Sequence, residues 1–419
     1  MAKVTINSQL TVHEAAQILA VSPDTIRRWH KKGLIKAQIG AHGERLFSRA
    51  ELIRIQSKNS SASAPWSVLE TSKSDLTSIE LFCGAGGLAL GMHNAGINNQ
   101  LLVDFDKDSI ATINRNRPRW NAVLKNVTEL DLIEYRDQID IMAGGFPCQA
   151  FSYAGKGLGF ADTRGTLFYE FARLISQVNP KIVIGENVKG LLNHDGGRTL
   201  STIVEELRKL GYAVQFKVLR AQFLDVPQKR ERLIIFGVRN DLELPILFPV
   251  EKDYTINLRA AFKDVPKSQG QIYSDAKIKV MQKVPEGGYW RDLPLILQKK
   301  YMGGSFHLGG GKTGMARRLS WDEPSLTLTC NPAQKQTERC HPTETRPLTI
   351  REYARIQTFP DDWEFSGSIS SQYRQIGNAV PVNLGFHIGI AIRAMLGKKP
   401  KKLPTQCLFE QKVEELTLF

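Results

Sequence analysis

A cysteine with the setting of a nucleophile lies in the segment 139–152. Residues 139–143 are an apolar run that predicts a buried strand, and two glycines follow it. Because Pro147 cannot continue the hydrogen-bond ladder of a strand, Cys148 is expected in a loop just beyond the strand end. Ligands of open α/β sheets bind beyond the carboxyl ends of the strands. Cys148 is therefore a candidate nucleophile; the alternative is an inert core cysteine.

Two further strand ends carry groups suited to a nucleoside or an anion. Residues 82–87 are rich in glycine and would bring backbone N–H groups at a helix start close to an anionic ligand. Asp104 ends the next predicted strand, where a carboxylate can accept hydrogen bonds from ribose hydroxyls, and Phe105 could stack on a purine. The alternatives are a tight strand-to-helix turn and a helix cap.

A carboxylate and two arginines follow later in the chain. Glu186 comes after an apolar run, and a carboxyl group at a buried strand end can have a raised pKa and donate a proton. Residues 228–232 contain Arg230 and Arg232, which could bind a phosphate or a base edge. The alternatives are a buried glutamate bonded to neighbouring amides and a solvated run of charges.

An α/β sheet must position these side chains. Short apolar segments alternate with amphipathic ones over residues 76–240, which predicts parallel strands joined by helices. The predicted strands are residues 78–82, 100–104, 139–143, 181–185, 213–219 and 232–238. Residues 241–345 are rich in Gly, Pro and Lys and predict a smaller irregular domain. Helices and loops return over 346–395, before a basic, loosely held tail at 396–419.

The N-terminal residues predict a separate DNA-binding unit. Residues 11–19 have the pattern of a capped helix, and residues 25–32 form a second, basic helix after a turn. Two short helices joined by a tight turn are typical of a helix-turn-helix. A helical hairpin used for packing or dimerisation is the alternative. The serine-rich residues 57–75 predict a linker.

This unit, residues 1–56, resembles the small winged helix-turn-helix domains of excisionases and MerR-type regulators. The resemblance implies a wing strand at 44–48 and a further helix at 50–55, in a unit that we expect to be all-α. Its DNA contacts would come from the basic second helix, at Arg27, Arg28 and Lys31.

The composition favours a polyanionic partner. Lys and Arg number 56 against 42 Asp and Glu, a formal net charge of +14, which indicates nucleic acid above all. A basic enzyme without such a partner is the alternative. The five cysteines show no paired metal spacing, so we expect neither a disulfide framework nor a metal site. Because the chain has no membrane-length apolar run and no signal-peptide pattern, we expect a soluble, intracellular protein.

Several of these segments occur in the order of a known family. They are residues 82–87, 147–149, 186–188, 228–232, 346–349 and 377–381. They resemble the ordered motifs of DNA (cytosine-5)-methyltransferases over roughly residues 77–395, and residues 351–360 resemble the region that supports the family's variable domain. The resemblance implies a Rossmann-like S-adenosylmethionine-dependent methyltransferase sheet, with residues 241–345 as a target-recognition domain for double-stranded DNA.

The resemblance also implies covalent catalysis on a cytosine flipped out of the duplex. Cys148 would attack C6, while Glu186 protonates or hydrogen-bonds N3. C5 then takes the methyl group of S-adenosylmethionine, and loss of the C5 proton with β-elimination frees the enzyme. Arg232 and Arg230 would steady the flipped cytosine.

The remaining site residues follow from the same resemblance. The cofactor pocket would be formed by Phe82, Gly84, Gly86, Asp104, Phe105, Asn126, Pro147, Leu167, Asn378 and Val380. Two of these depart from the family, which usually has Glu at the Asp104 position and commonly Asp at the Asn126 position. DNA contacts would include Gln149, Ser152 and Gln228. The basic groups suited to a groove or to phosphates are Lys312, Arg317, Arg318, Lys335 and Arg339.

Other readings of the motifs remain open. One branch of the family modifies RNA, so a tRNA cytosine-5 methyltransferase is one alternative. A DNA-binding regulator with an inert methyltransferase core is another. The resemblance implies a bacterial restriction–modification enzyme in the cytoplasm, associated with the nucleoid. We expect it to be monomeric during methylation, with an N-terminal unit that represses its own promoter or adds affinity near the target. A dimer through that unit is the alternative to a monomer. The sequence carries no code for the recognition site.

Overall fold

The computed structural model describes residues 9–19, 21, 23–31, 35–40, 43–49, 52, 63–146, 167–307 and 312–411. Cys148, Pro147, Gln149 and Ser152 lie outside this set. Within the described part of the chain, no helix has both the length and the apolar character needed to cross a membrane.

The N-terminal unit combines two helices with a small sheet. Its elements are β1 (Gln9–Leu10), α1 (Val12–Ile18), α2 (Pro23–Lys31), β2 (Ala37–Ile39) and β3 (Arg45–Ser48). A capping box begins α1, because the backbone N–H of Thr11 donates to the carboxylate of Glu14 at 2.8 Å and the backbone N–H of Glu14 donates to the hydroxyl of Thr11 at 3.3 Å. The strands form an antiparallel sheet in the order β1-β3-β2. The expectation of an all-α unit is therefore wrong, and the helix predicted at 50–55 lies mostly outside the described residues.

A seven-stranded sheet forms the centre of the described catalytic region. The strands that follow the N-terminal unit are β4 (Thr77–Leu81), β5 (Asn98–Asp104), β6 (Ala122–Leu124), β7 (Ile141–Gly144), β8 (Ile182–Val188), β9 (Tyr212–Arg220), β10 (Gln228–Lys229), β11 (Glu231–Arg239), β12 (Phe248–Pro249), β13 (Ser325–Leu326) and β14 (Phe409–Glu410). The order in the sheet is β6-β5-β4-β7-β8-β11-β9. All neighbours are parallel except β11, which is antiparallel to both β8 and β9.

Helices cover both faces of this sheet. The described helices that follow the N-terminal unit are α3 (Gly87–Asn94), α4 (Lys107–Asn116), α5 (Leu167–Val178), α6 (Arg198–Lys209), α7 (Leu258–Ala261), α8 (Asp275–Met281), α9 (Leu295–Met302), α10 (Ile350–Ile356), α11 (Ile369–Asn378) and α12 (Val382–Met395), of which α7, α8 and α9 belong to the irregular domain rather than to the sheet faces. On one face α3 and α12 pack through Met92 and Ile388 against Ile184. On the other face α5 and α6 contribute Phe171 and Ile203 to a second cluster. Both faces are buried, which explains why the strands are continuous apolar runs.

All six predicted strands are confirmed, with ends that differ by a few residues. The three-residue strand β6 is too short to give a pattern, and the prediction missed it. The expectation that the strands are all parallel is wrong for β11, because the connection after β9 contains only a short 3-10 turn and β10. Such a connection cannot carry a parallel crossover, which needs a dozen or more residues.

The irregular domain (residues 241–345) has little regular structure. Its own core contains Tyr273, Met281, Trp290 and Met315. Parallel pairing of β13 with β10 joins it to the chain just before Arg230. The irregular domain is therefore joined to the short strand that directly precedes Arg230 and β11, the strand that contains Arg232.

The segment before β4 and the segment after α12 both pack on the catalytic region. The indole N–H of Trp66 donates to the carbonyl of Arg355 at 2.9 Å, and the Arg355 guanidinium lies 4.7 Å from the Trp66 ring centre. Strand β14 pairs with β12, and Cys407 is buried. Residues 63–75 are thus fixed to the body, and residues 396–411 are packed rather than loosely held.

Candidate active site

An ion pair marks the carboxyl-end side of β8. Oε1 of Glu186 lies 2.8 Å from Nε of Arg232, and both side chains are mostly buried. The antiparallel register places Ile234 of β11 opposite Glu186. Arg232 therefore lies two residues nearer the carboxyl end of β8, and its side chain extends back toward Glu186. Burial lowers the pKa of Arg232, while the neighbouring Glu186 opposes that shift. The sheet therefore holds the carboxylate in one orientation.

The second carboxylate oxygen of Glu186 faces the chain that leads to Cys148. A Cβ placed on Gly145 would lie 3.4 Å from Oε2 of Glu186. The side-chain amide of Asn187 donates to the carbonyl of Phe146 at 2.8 Å and so fixes the last described residue before Pro147. Asn187 was quoted in the family motif but not given a role. Cys148 itself, with Pro147, Gln149 and Ser152, is outside the described residues.

A network of backbone bonds holds Asp104 at the end of β5. One carboxylate oxygen accepts from the N–H of Gly84 at 2.8 Å, and the other accepts from the N–H of Asp106 at 2.8 Å. Burial raises the pKa of Asp104, and these backbone bonds oppose the shift. The residue thus joins the glycine-rich turn after β4 to the loop after β5. Its remaining lone pairs can accept ribose hydroxyls.

The glycine-rich turn leaves room beside Asp104. Phe82, Gly84 and Gly86 all have positive φ, at 58°, 52° and 80°. No atom lies within 4 Å of a Cβ built on Gly84, so this part of the turn borders open space. The geometry suits a ligand that approaches the backbone closely.

An exposed aromatic ring and a polar side chain continue the same edge. Phe105 is 75% exposed, although it directly follows a buried strand. Asn126 comes two residues after β6 and accepts from the N–H of Thr128 at 3.2 Å, while its amide remains exposed. An exposed ring next to a carboxylate fits the purine and ribose of S-adenosylmethionine. The described residues therefore fit this cofactor.

The C-terminal motif closes the pocket from the other side. A Cβ on Gly87 would lie 2.2 Å from the carbonyl oxygen of Val380, so only glycine permits this close approach of α3. Asn378 is exposed, and its side-chain oxygen accepts from the thiol of Cys330 at 3.1 Å. Leu167, also predicted for the pocket, begins α5 and packs against the core of the sheet.

Two features of this pocket were missed by the sequence analysis. An ion pair of 2.9 Å joins Asp106 to Arg374 of α11 and so links the loop of Phe105 to the segment of Asn378. Glu80 is buried in β4, and burial, with Asp104 and Glu186 adding to it, raises its pKa well above the usual value. A charged residue within an apolar strand was the available signal for Glu80.

Arg230 is buried close to Arg232 and Glu186. It is 1% exposed, and among the described residues its guanidinium donates two long hydrogen bonds, of 3.4 Å to the carbonyl of Leu328 and 3.5 Å to that of Asn378. Burial, with Arg232 nearby, lowers its pKa to about 9. Arg230 thus touches both the irregular domain and the cofactor-closing segment.

Burial corrects the expectation that Gln228 contacts DNA. Its side chain is fully buried, its amide donates to Gln357 at 2.7 Å, and its oxygen accepts from the N–H of Leu328 at 2.9 Å. The side chain is therefore an internal brace between β10, α10 and the irregular domain.

Two of the basic residues predicted for the groove are also internal. Arg318 is buried and donates to the carbonyls of Val284, His341, Glu344 and Met281 and to the hydroxyl of Thr345. Arg339 is buried and donates to carbonyls of Thr327 and Glu338. Because both guanidinium groups are buried and donate to acceptors of the same domain, the expectation that they contact DNA is wrong for both.

The other predicted basic residues are less buried. Lys335 is exposed, Lys312 is half-buried, and Arg317 packs over the ring of Tyr289. In the N-terminal unit Arg27 and Arg28 are exposed on α2, which also contains Lys31. No group of His, Cys, Asp and Glu suited to a metal ion occurs among the described residues.

Comparisons with known proteins agree with this geometry. The family model for C-5 cytosine-specific DNA methylases matches residues 76–394, and a helix-turn-helix model matches residues 10–60. The chain is 52% identical to Type II methyltransferase M.Eco47II of Escherichia coli over 95% of this chain and 98% of the relative. It is 51% identical to M.PspPI of Psychrobacter sp. (strain TA137), over 92% and 96%.

A solved structure supports the fold. A prophage-encoded protein from E. coli, described as a DNA modification methyltransferase, superposes with a TM-score of 0.57 at 24% identity, over 77% of this chain and 100% of that one. The family match covers the whole sheet and both segments of the pocket. The chain therefore belongs to the C-5 cytosine-specific DNA methylase family and carries a helix-turn-helix domain at its N-terminus.

Proposed function

We propose that this enzyme methylates C5 of a cytosine within a specific duplex DNA site and protects host DNA in a restriction–modification system. The Glu186–Arg232 ion pair at the sheet edge carries the proposal, because it orients a carboxylate toward the segment that contains Cys148. The named relatives are Type II methyltransferases that match almost the full chain. We expect the enzyme to act in the cytoplasm, where bacterial DNA is found.

Each active-site residue has a proposed task at a defined atom of the cytosine. The Cys148 thiolate adds to C6, which makes C5 nucleophilic. Glu186 donates a proton or a hydrogen bond to N3 through Oε2, while Arg232 holds Oε1. Arg230, which contacts the carbonyls of Leu328 and Asn378, supports this arrangement. Flipping of the base into the crevice brings C6 within reach of the loop of Cys148.

The cofactor pocket follows from the described strand ends. S-adenosylmethionine supplies the methyl group when it is bound. We propose that the turn of Phe82, Gly84 and Gly86 borders its methionine part, while Asp104 accepts hydrogen bonds from the ribose hydroxyls. Phe105 would stack on the adenine. The remaining proposed contacts are made by Asn126, Pro147, Leu167, Asn378 and Val380.

The N-terminal unit is proposed to bind DNA through Arg27, Arg28 and Lys31 of α2. The helix-turn-helix match and the exposure of Arg27 and Arg28 support this role. It would repress the enzyme's own promoter, or it would add affinity near the target. Deletion of residues 1–60 tests both roles: if promoter binding and methylation are both unchanged, neither role is correct.

Methyl transfer to two substrates tests the main proposal. Purified enzyme with labelled S-adenosylmethionine is expected to label duplex DNA and to leave tRNA unlabelled. Labelling of tRNA alone would establish the RNA-modifying alternative. Absence of labelling on both, with cofactor binding intact, would favour a regulator with an inert core.

A further inference from the structure

A hydrogen bond joins the N-terminal unit to the irregular domain. The hydroxyl of Tyr289 donates to Oδ2 of Asp24 at 2.8 Å. Tyr289 is 3% exposed, and the Arg317 guanidinium lies 4.8 Å from its ring centre. Burial, and next the bond to Asp24, raises the pKa of Tyr289 to about 12, so the phenol is a donor at neutral pH. If the buried hydroxyl lost this acceptor, its unsatisfied donor would destabilise the protein.

Asp24 lies where a helix-turn-helix reads DNA. It belongs to the first turn of α2, and N-terminal residues of the second helix are those that contact base edges. Its other oxygen pairs with Arg27 at 3.1 Å. While Asp24 is bonded to Tyr289, the start of α2 faces the irregular domain and Arg27 is held beside a carboxylate. The helix cannot then enter a major groove with these residues.

The contact between the N-terminal unit and the irregular domain is expected to be reversible. The apolar core of the N-terminal unit, around Ala15, Ile26 and Phe47, shares no described side chain with the core of the irregular domain around Trp290. A charge-assisted hydrogen bond without a shared apolar core gives an equilibrium rather than a permanent interface. Duplex DNA, which attracts Arg27 and repels Asp24, would shift that equilibrium toward release.

We propose that docking of α2 on the irregular domain and binding of DNA by α2 exclude each other. The free enzyme holds its helix-turn-helix on Tyr289, and operator binding requires release of that contact. The proposal rests on the proposed DNA-binding role of the N-terminal unit. It adds that the hydrogen bond between Tyr289 and Asp24 decides whether α2 is available to bind DNA.

Hydrogen exchange of the full-length protein tests the docking itself. Tyr289→Phe keeps the ring beneath Arg317 and removes the donor. We expect amides of residues 23–31 and 284–292 to exchange about 10-fold faster than in the wild type, the effect of losing a hydrogen bond to a charged group. Tyr301→Phe, which removes a buried hydroxyl elsewhere in the same domain, should leave residues 23–31 unchanged. Unchanged exchange in Tyr289→Phe would overturn the proposal.

Fluorescence anisotropy with the duplex directly upstream of the enzyme's own gene tests the exclusion. With excess random duplex present, Tyr289→Phe should bind this probe about 10-fold more tightly than the wild type, and Arg27→Ala should remove the gain. Equal binding by wild type and Tyr289→Phe would overturn the exclusion while docking stands. If neither protein binds the probe although exchange responds, the promoter-binding role of the N-terminal unit is wrong, and the exclusion from this operator fails with it.

Discussion

The charged side chains of the sheet edge and the buried arginines of the irregular domain have different kinds of partner. At the sheet edge Glu186 and Arg232 pair with each other where the chain leads to Cys148, and the carboxylate of Asp104 is held by backbone N–H groups. In the irregular domain the buried charges of Arg318 and Arg339 bond to carbonyl groups of the domain itself. Charge at the edge lies beside the proposed cofactor and cytosine sites, whereas the buried arginines of the irregular domain donate to carbonyl groups that lack partners in regular secondary structure.

Because of this difference, we expect substitutions in the two regions to have different effects on the activity and on the stability of the protein. A domain with few helices and strands leaves many carbonyl groups without backbone partners, and buried arginines can satisfy several of them at once. Substitutions at the sheet edge should therefore lower activity at nearly constant stability. Substitutions of the buried arginines should lower stability first.

The largest effect is expected from Glu186→Gln. The amide oxygen can still accept from Arg232, so the fold should be kept, but the side chain can no longer transfer a proton at N3. We expect kcat to fall about 10²- to 10⁴-fold, the usual contribution of a general acid. Steady-state methyl transfer and thermal unfolding measured together check this. A kcat within threefold of the wild type, or joint loss of activity and folding, would contradict the assignment.

Arg318→Met should instead destabilise the irregular domain. Loss of the guanidinium leaves several buried acceptors without donors, which costs about 3 kcal/mol of unfolding free energy. Chemical denaturation gives this value. Lys335→Met is the matched control, because Lys335 is exposed and its change should stay within about 0.5 kcal/mol. Equal effects of the two substitutions would remove the contrast between internal and exposed basic groups.

Asp104→Asn should weaken cofactor binding. Both carboxylate oxygens accept backbone N–H groups, so the amide of asparagine would direct a donor at a donor. We expect the Kd for S-adenosylmethionine to rise about 10-fold, by calorimetric titration. Asp131→Asn, which changes an exposed cap, serves as the control. An unchanged Kd for Asp104→Asn would mean that the carboxylate does not serve the cofactor.

The pH dependence of cofactor binding follows from the same carboxylate. Burial raises the pKa of Asp104, and the charged form is the one that accepts hydroxyl groups. Affinity should therefore fall as the pH is lowered toward this raised pKa, and Asp104→Asn should lose that part of the dependence. Identical pH profiles for the two proteins would contradict this.

The smallest effect is expected from Arg374→Ala. The ion pair with Asp106 is half-exposed, and such pairs contribute about 0–1 kcal/mol. KM for the cofactor should rise about 2- to 4-fold with kcat unchanged, and Arg374→Lys should recover most of the loss. A fall in kcat with constant KM would mean that Arg374 does not act on the cofactor pocket.

Sequence patterns predicted the sheet because its strands are buried on both faces. Apolar runs such as β8 allow few other interpretations, and the polar residues that interrupt or follow them, Glu186 and Asp104, lie at the site. The three-residue β6 and the antiparallel direction of β11 depend on tertiary contacts and on connection length, so apolar patterning could not reveal them.

The irregular domain was less predictable for a physical reason. Arg317 and Arg318 are adjacent and identical in type, yet the first packs over Tyr289 while the second is buried among carbonyl groups. The same holds outside this domain for Gln228, which lies in one family motif with Arg230 but whose amide donates to Gln357. Residue type identifies a hydrogen-bonding group, whereas only the fold decides which partner it has.

Bisulfite sequencing of DNA from cells that express the enzyme tests the central claim most directly. We expect cytosines protected from conversion in one sequence context with the wild type, and no protected cytosines with Cys148→Ser produced at the same level. Absence of protected cytosines with the wild type, or protection retained by Cys148→Ser, would contradict it.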